Sequence, residues 1–267
     1  MDWRIWYRHM QHALCVVFCV CLLLSTLGAV GQSGRRRAKE FVCQANLRRW
    51  GAMFDKYTEE HDGRFNRGWG GLGMTELWMN ALRPYYGDQW HLLMCPTATR
   101  AVQYPSDWGT FRAWYRNIDL PEGGQWRYVS SYGINSWTND TAHDRGSRLE
   151  RDFWRTTENV ENPATVPVFA DSTWHDAWPR HTDQPPPVAF GSGGGNTGLT
   201  NEMDLFCIDR HGGVNVLFMD WSVRKVGLKE LWTLKWHRRY ITEGPWTKAG
   251  GAVASDWPAW MRPFKDY

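Results

Sequence analysis

The chain opens with a long apolar stretch. No Asp, Glu, Lys or Arg lies between His12 and Arg35, and residues 13–24 are almost entirely apolar. As a helix, residues 13–34 would rise about 1.5 Å per residue, just enough to cross a hydrocarbon layer of roughly 30 Å. The pattern therefore predicts that residues 1–34 form a membrane anchor or a signal segment.

Two interpretations of this stretch compete, and a buried core helix is a third. As a cleaved signal peptide, it has Arg4 and Arg8 before the apolar run and small residues at 29–31 before a cut. As a retained anchor, it is followed by a basic cluster at 35–39, and the positive-inside rule would hold that side in the cytoplasm, which argues against export. Anchor and signal peptide both stay open.

An amphipathic pattern follows over residues 35–62. Apolar or aromatic side chains recur at spacings of four and three, which is typical of one face of a helix. Asp62 and Gly63 mark its end. The stripe consists of Cys43, Leu47, Trp50, Phe54, Tyr57 and His61.

The rest of the chain, from residue 63 onward, has patterns that predict loops followed by strands. Residues 63–126 are rich in Gly, Pro and aromatic residues without a sustained period, so we predict a loop-rich region. Residues 127–137 and 165–169 have the β-branched and aromatic content of strands. Residues 184–198 predict a surface loop. Helix and strands are thus segregated along the chain, which predicts the α+β class.

The last seventy residues predict a hairpin and a helix. Strands at 205–208 and 214–219 would pair through a turn in which Gly212 and Gly213 supply positive φ, and would bring His211 and Asp220 to one end of the sheet. A second turn would lead into a strand at 223–226. A C-terminal helix is expected over 228–240 because apolar side chains recur there at helical spacing.

Composition narrows the class of protein. The 267 residues carry 31 Lys and Arg against 28 Asp and Glu, a balance too even to favour nucleic acid as a partner. The 19 Trp suit either a thin core or a contact surface. An exported glycan-binding module is therefore one alternative, and its candidate stacking residues in loops are Trp108, Trp114, Trp126, Trp174 and Trp178.

Catalytic motifs are scarce. The chain has no His-Glu-x-x-His pair, no phosphate-binding loop of the Walker type and no Gly-x-Ser-x-Gly nucleophile motif. A zinc hydrolase built on His175 and His211 would need a third ligand and a general base. We therefore expect no enzymatic activity, and an exported hydrolase is the second alternative.

Several short motifs, in a fixed order, resemble one family. They are Arg35–Gly51, Tyr57 with Asp62-Gly63 and Phe65, Pro84-Tyr85-Tyr86, Cys95-Pro96, Ser131-Tyr132-Gly133 with Asn135 and Trp137, and Arg210–Arg224. In this order they resemble the pseudopilin G-like subgroup of the type IV pilin-like proteins, over residues 35–267. The last stretch resembles the prepilin-type His-x9-Asp-Gly signature in His211, Gly212, Gly213, Asn215 and Asp220, with eight residues between His211 and Asp220 and Trp221 in place of the Gly.

The resemblance implies a long N-terminal helix packed on an antiparallel sheet. It implies a non-enzymatic structural or accessory component of a type II secretion or pilus-type assembly. Its partners would be other pilin-like subunits or secretion-system components, together with the membrane through residues 13–34. The protein would lie in a bacterial inner membrane with its head in the periplasm, or be exported to the cell surface.

Two further expectations concern the head. Calcium is the implied ion, because pseudopilin G heads bind calcium through a C-terminal loop and oxygen donors on loops suit that ion. Asp171, Asp176 and Asp220 are the expected ligands, against the alternative that such carboxylates cap turns and pair with Arg180, Arg210 and Arg224. A disulfide between Cys43 and Cys95 would clip the intervening segment to the helix, with Cys207 left as a buried strand thiol.

Overall fold

The computed structural model describes residues 3–70, 73–103, 109–189 and 201–267. Its first element is a single helix, α1, of 57 residues from Trp3 to Glu59, so the apolar run and the amphipathic stripe share one rod. Asp62 and Gly63 follow it with φ of 54° and 74°, a left-handed backbone that ends the helix as predicted. Among the residues described, none of the helices combines the length and the apolar character that a membrane crossing requires.

Short helical elements connect α1 to the sheets. Two single-turn α-helices follow, α2 (Trp78–Ala81) and α3 (Arg83–Tyr86). Most other helical turns are of the 3-10 type, which is common in connectors. The 3-10 turns are Gly68–Gly70, Gly73–Glu76, Trp90–Leu93, Ser136–Thr138, Glu150–Asp152, Pro163–Thr165, Met203–Leu205, Lys229–Thr233 and Ala254–Asp256.

Eight described strands form two sheets. The strands are β1 (Arg100–Ala101), β2 (Arg112–Asp119), β3 (Gln125–Ser130), β4 (Tyr132–Asn135), β5 (Pro167–Asp171), β6 (Asp176–Ala177), β7 (Val214–Phe218) and β8 (Val223–Val226). The smaller sheet has the order β1-β2-β3 and the larger one the order β6-β4-β5-β7-β8. Pairing is antiparallel except for β1 with β2 and β4 with β6. The architecture is therefore α+β with mainly antiparallel sheets.

The second half of α1 packs on the larger sheet. Cys43, Leu47, Trp50 and Phe54 are all buried, so this part of the predicted stripe is confirmed. The Trp50 ring lies 5.3 Å from that of Phe169 on β5. Burial of such side chains stabilises the fold by about 1.5–3 kcal/mol each.

Tryptophan fills much of the core. Six Trp side chains are almost completely buried, and several meet edge to face, as Trp50 and Trp78 do at 5.3 Å. The burial of these rings favours the thin-core interpretation of the composition. The six are Trp50, Trp78, Trp114, Trp137, Trp232 and Trp236.

Two strand predictions need correction. The strand expected over 127–137 is split at Ser131 into β3 and β4, which belong to different sheets. The break has a cause, because the Ser131 N–H donates to Leu93 O and its carbonyl accepts from Ser172 N–H. The region expected to be loop-rich contains β2, an eight-residue strand whose last six residues pair with β3.

The C-terminal expectations also change. Residues 205–208 are not a strand, because the Leu205 carbonyl accepts from Thr173 N–H in a loop. Cys207 is buried as expected, but outside any strand. The hairpin partner of β7 is instead β8.

The predicted C-terminal helix is wrong as well. Only the five-residue 3-10 turn Lys229–Thr233 forms. Lys235 N–H donates to Thr165 O, and Trp236 O accepts from the side chains of Asn135 and Trp154. Backbone groups that a helix would have paired internally are therefore used by distant segments.

Candidate functional site

The three aspartates expected to bind calcium lie apart. Asp171 ends β5 and Asp176 begins β6, and these strands flank β4 on opposite sides. Asp220 follows β7, is exposed, and accepts hydrogen bonds from Ser222. Because Asp171 and Asp176 contact different partners and Asp220 faces solvent, the structure does not bring the three together as one ligand set.

His211 and Asp220 are likewise separated. His211 lies before the start of β7 and Asp220 after its end, so they occupy opposite ends of that strand rather than one sheet end. The expected glycine conformations are confirmed, since Gly212 and Gly213 have φ of 73° and 151°. Asn215 is also paired within the hairpin, opposite Lys225 of β8.

A different group of side chains converges beneath α1. Cys43 from the helix, Cys95 from the segment after the third 3-10 turn, Asp171 from β5 and His211 from the turn before β7 meet there. Their sulfur, oxygen and nitrogen atoms all lie within 4.8 Å of one another. We call these four residues the thiol cluster.

The distances within the thiol cluster are short. Cys95 Sγ lies 3.1 Å from His211 Nε2, and Cys43 Sγ lies 3.4 Å from Asp171 Oδ1. His211 Nε2 lies 3.8 Å from Asp171 Oδ2. All four side chains are shielded from solvent, since both cysteines and Asp171 are 0% exposed and the His211 side chain 1%.

Arg210 supplies the positive charge next to the thiol cluster. Its guanidinium donates to Asp171 Oδ1 at 3.0 Å and also to the carbonyl oxygens of Thr110, Ser131 and Ser172. Every one of these contacts is buried, so the guanidinium is fully enclosed by acceptors. This arrangement fixes the turn that carries both Arg210 and His211 against β5.

Other donors complete the surroundings. Tyr132 Oη donates to Cys43 Sγ at 3.3 Å, and Thr97 Oγ1 lies 3.0 Å from Cys95 Sγ. The backbone N–H of Asn215 donates to Asp171 Oδ2 at 3.1 Å. Each sulfur and the carboxylate therefore has its own neighbouring donor.

The electrostatics differ between the two thiols. Burial and the neighbouring Cys95 and Asp171 raise the pKa of Cys43 well above its ordinary value. Burial acts in the same direction on Cys95, but hydrogen bonds with Cys43 and His211 and the charge of Arg210 lower its pKa to about 3. Although burial disfavours the imidazolium, the hydrogen bond to Cys95 and the charge of Asp171 raise the pKa of His211. The two shifts act in the direction of a thiolate at Cys95 and a proton on His211.

Local hydrogen bonds position Cys95. Its N–H donates to Ser131 Oγ at 2.5 Å, and its carbonyl accepts from Ala98 N–H. Asn46, one turn after Cys43 on α1, donates to Met94 O at 3.1 Å. The segment before Cys95-Pro96 is thereby attached to the helix that carries the other thiol.

The expected Cys43–Cys95 disulfide is absent from the described residues. Both cysteines are free thiols, as is Cys207. The two sulfurs nevertheless face each other inside the thiol cluster.

His175 does not join His211. The His175 ring is fully buried, with Nδ1 2.9 Å from Asp176 Oδ1 and Nε2 2.9 Å from Arg116. Trp69 also donates to Asp176, at 2.5 Å. This second buried polar group, His175 with Asp176, lies apart from the thiol cluster, so the two histidines do not form the pair that the hydrolase alternative requires.

The candidate sugar-binding tryptophans do not share one surface. Trp114 is fully buried and Trp178 is 8% exposed, whereas Trp126 is 43% exposed and stacks on Trp90. Trp174 lies against Arg116 and His175. Trp108 lies outside the described residues.

The sequence expectations missed Tyr132 and Thr97, and they named Arg210 only as one of the arginines that could pair with the carboxylates. A signal was present, because Cys43, Cys95-Pro96, Ser131-Tyr132-Gly133 and Arg210-His211 are motifs that carry the family resemblance. Each of these four motifs sends at least one side chain or backbone group to the thiol cluster. Taken together, these four motifs therefore indicate the site.

In three comparisons, no family model, no curated protein and no solved structure matches this chain.

Proposed function

We propose that this protein is a non-enzymatic pilin-like envelope protein, a structural or accessory subunit of a type II secretion or pilus-type assembly. The proposal is supported by a difference between the two halves of α1. Its second half packs into the head, while the apolar side chains described within residues 14–22 of its first half are exposed. A subunit that assembles through its N-terminal helix needs this arrangement.

The exposed apolar stretch carries the proposal. Six large apolar side chains within residues 14–22 are 47% to 65% exposed. Contiguous exposed apolar surface marks a site of interaction with protein or lipid. The six are Leu14, Val16, Val17, Phe18, Val20 and Leu22.

The occupant we propose for this surface is the corresponding helix of neighbouring pilin-like subunits. Apolar side chains on parallel helices interdigitate, and each fully buried one contributes about 1.5–3 kcal/mol. The head would then be presented at the outer surface of the assembly. The buried thiol cluster fits a structural role, since substrate has no access to it.

Photo-crosslinking in the native host tests this proposal. A photoreactive residue at Leu14, which is 63% exposed, should join the full chain to other pilin-like subunits. Phe18→Asp places a charge in the contact and should abolish the crosslink, whereas Ile241→Asp, at a 52% exposed apolar position on the head, should leave it intact. Crosslinks to no pilin-like subunit, or crosslinks that survive Phe18→Asp, would refute the assignment.

A further inference from the structure

We propose that Cys43, Cys95, Asp171 and His211 form a structural zinc site that ties α1 to the larger sheet. The proposal does not depend on the assembly function, because it rests only on groups inside the head. It rests on donor chemistry, on interatomic distances, on burial and on the donors that surround the ligands.

The donor set is one that zinc prefers. Zinc is bound by thiolate sulfur, imidazole nitrogen and carboxylate oxygen, usually by four ligands in a tetrahedron. Thiolates exclude calcium and magnesium, which take oxygen ligands. Two cysteines, one histidine and one aspartate supply the four positions with no water.

The distances fit a tetrahedron. Zinc–sulfur bonds of about 2.3 Å and zinc–nitrogen or zinc–oxygen bonds of about 2.0 Å place the ligand atoms roughly 3.3–3.8 Å apart. The observed separations are 3.1 Å between Cys95 Sγ and His211 Nε2, 3.6 Å between Cys43 Sγ and Asp171 Oδ2, and 3.8 Å between His211 Nε2 and the same Asp171 oxygen. Shifts of a few tenths of an ångström would seat the ion.

Charge is balanced when zinc binds. Two thiolates and the Asp171 carboxylate carry three negative charges, and the ion with Arg210 carries three positive ones. Arg210 therefore neutralises the ligand set instead of repelling the metal, since it donates to Asp171 Oδ1 at 3.0 Å. A fully buried site without net charge avoids most of the desolvation cost of isolated ions.

Outer donors orient the ligands. Tyr132 donates to Cys43, Thr97 lies within hydrogen-bonding distance of Cys95, and the backbone of Asn215 donates to Asp171. Such partners fix ligand orientation in zinc proteins, and their loss lowers metal affinity about 10–100-fold. Because no ligand atom faces solvent, the site has the closed character of structural rather than catalytic zinc.

Native mass spectrometry of the full chain in detergent, purified without reductant or chelator, tests the proposal. The expected mass is that of the chain plus about one zinc, with protons lost from the coordinating thiols. A chain without zinc and lighter by two hydrogens, with Cys43 and Cys95 linked in the peptide map, would be the disulfide form and would overturn the proposal. An unchanged mass, meaning free thiols without metal, would overturn it equally.

Matched variants locate the metal. Cys95→Ser and His211→Gln should each lower the zinc content at least tenfold, measured by elemental analysis after dialysis. Cys207→Ser changes another fully buried thiol outside the thiol cluster and should keep the wild-type zinc content. Equal zinc in all three variants would refute the assignment.

Cobalt substitution avoids reliance on variants that fail to fold. Wild-type protein depleted of metal and given Co²⁺ should develop sulfur-to-cobalt charge-transfer absorption together with the strong visible bands of tetrahedral cobalt. Added zinc should abolish these bands. Weak octahedral absorption, without a sulfur band, would show that the thiols do not bind metal.

Discussion

Two buried aspartates, on the strands that flank β4, have pKa values shifted in opposite directions. Asp171 lies under α1 among two thiols, His211 and Arg210, and burial and the Cys95 charge raise its pKa to about 6 despite the guanidinium. Asp176 lies with His175, Trp69 and Ser136; burial opposes ionisation there too, but His175 and Trp69 more than compensate and lower its pKa. Equal burial is thus accompanied by opposite pKa shifts, because the neighbouring charges and hydrogen bonds determine the direction.

The comparison separates two kinds of polar core. The Asp176 group is satisfied by an imidazole, an indole and a hydroxyl, and it needs nothing more. The thiol cluster gathers three acidic groups around one guanidinium, and beside the effect of burial Cys95 raises the pKa of both Cys43 and Asp171. Three of the four predictions below perturb one of these two groups, and the other perturbs the hairpin turn that follows His211.

The largest effect is expected from Arg210→Met. It removes the cation from a fully buried carboxylate and takes one donor from each of three buried carbonyl oxygens. Losing one partner of a buried ion pair costs about 3–5 kcal/mol of unfolding free energy. Urea denaturation followed by tryptophan fluorescence measures the loss.

Arg224→Met is the matched control. Arg224 also pairs with a carboxylate, Glu230 at 2.6 Å, but its side chain is 41% exposed. An exposed pair contributes about 0–1 kcal/mol. Equal losses of unfolding free energy in the two variants would mean that burial of the Arg210–Asp171 pair does not increase its contribution to stability.

Gly213→Val should come next, at about 2–4 kcal/mol, because it combines backbone strain with a clash. Gly213 has φ of 151°, and a Cβ there would lie 2.5 Å from Val226 O. Gly212→Val shares the positive φ, 73°, but meets open space, so it should cost only about 1–2 kcal/mol. Thermal unfolding compares the two, and equal melting temperatures would show that the contact with β8 is irrelevant.

Trp69→Phe perturbs the other aspartate. It keeps a ring but removes the N–H that donates to Asp176 Oδ2. Leaving a buried carboxylate with one donor fewer costs about 1–3 kcal/mol. Trp126→Phe, at a 43% exposed ring, should change stability by less than about 0.5 kcal/mol; a loss as large as that of Trp69→Phe would remove the hydrogen bond from the explanation.

The smallest expected effect is a pH dependence at Asp176. Its pKa is lower in the folded protein than in the unfolded chain, so ionised Asp176 stabilises the fold above the unfolded value, and this stability is lost as the pH falls through the folded value. Asp176→Asn should therefore flatten the acid limb of stability below about pH 4. Urea midpoints at neutral and acidic pH test this, and parallel acid limbs for variant and wild type would exclude the contribution.

Local patterns predicted the elements whose partners are nearby or uniformly apolar. The stripe from Cys43 to Phe54 predicted the buried face of α1, and Asp62-Gly63 predicted its end, because spacing and a left-handed stop are local properties. The strand at 214–219 and the conformations of Gly212 and Gly213 were also predicted. These features need no knowledge of distant segments.

Predictions failed where the backbone forms hydrogen bonds with groups that are distant in the sequence. Apolar side chains over residues 228–240 recur at helical spacing. However, the Thr165 carbonyl accepts from the Lys235 N–H and the Asn135 side chain donates to the Trp236 carbonyl, so the predicted helix does not form. The calcium ligands failed for a related reason, since proximity of Asp171 and Asp176 in sequence says nothing of β4 lying between them.

By itself, then, the sequence determined the long N-terminal helix, its buried face, the α+β class and the motifs that carry chemistry. Only the tertiary structure decided that Cys43, Cys95, Asp171 and His211 meet, because up to 168 residues separate them along the chain. Their meeting depends on how α1 lies across β5 and β7, which is set by packing of Trp50, Phe54 and Phe169. Periodicity reports which face of an element is buried, whereas packing decides what that face meets.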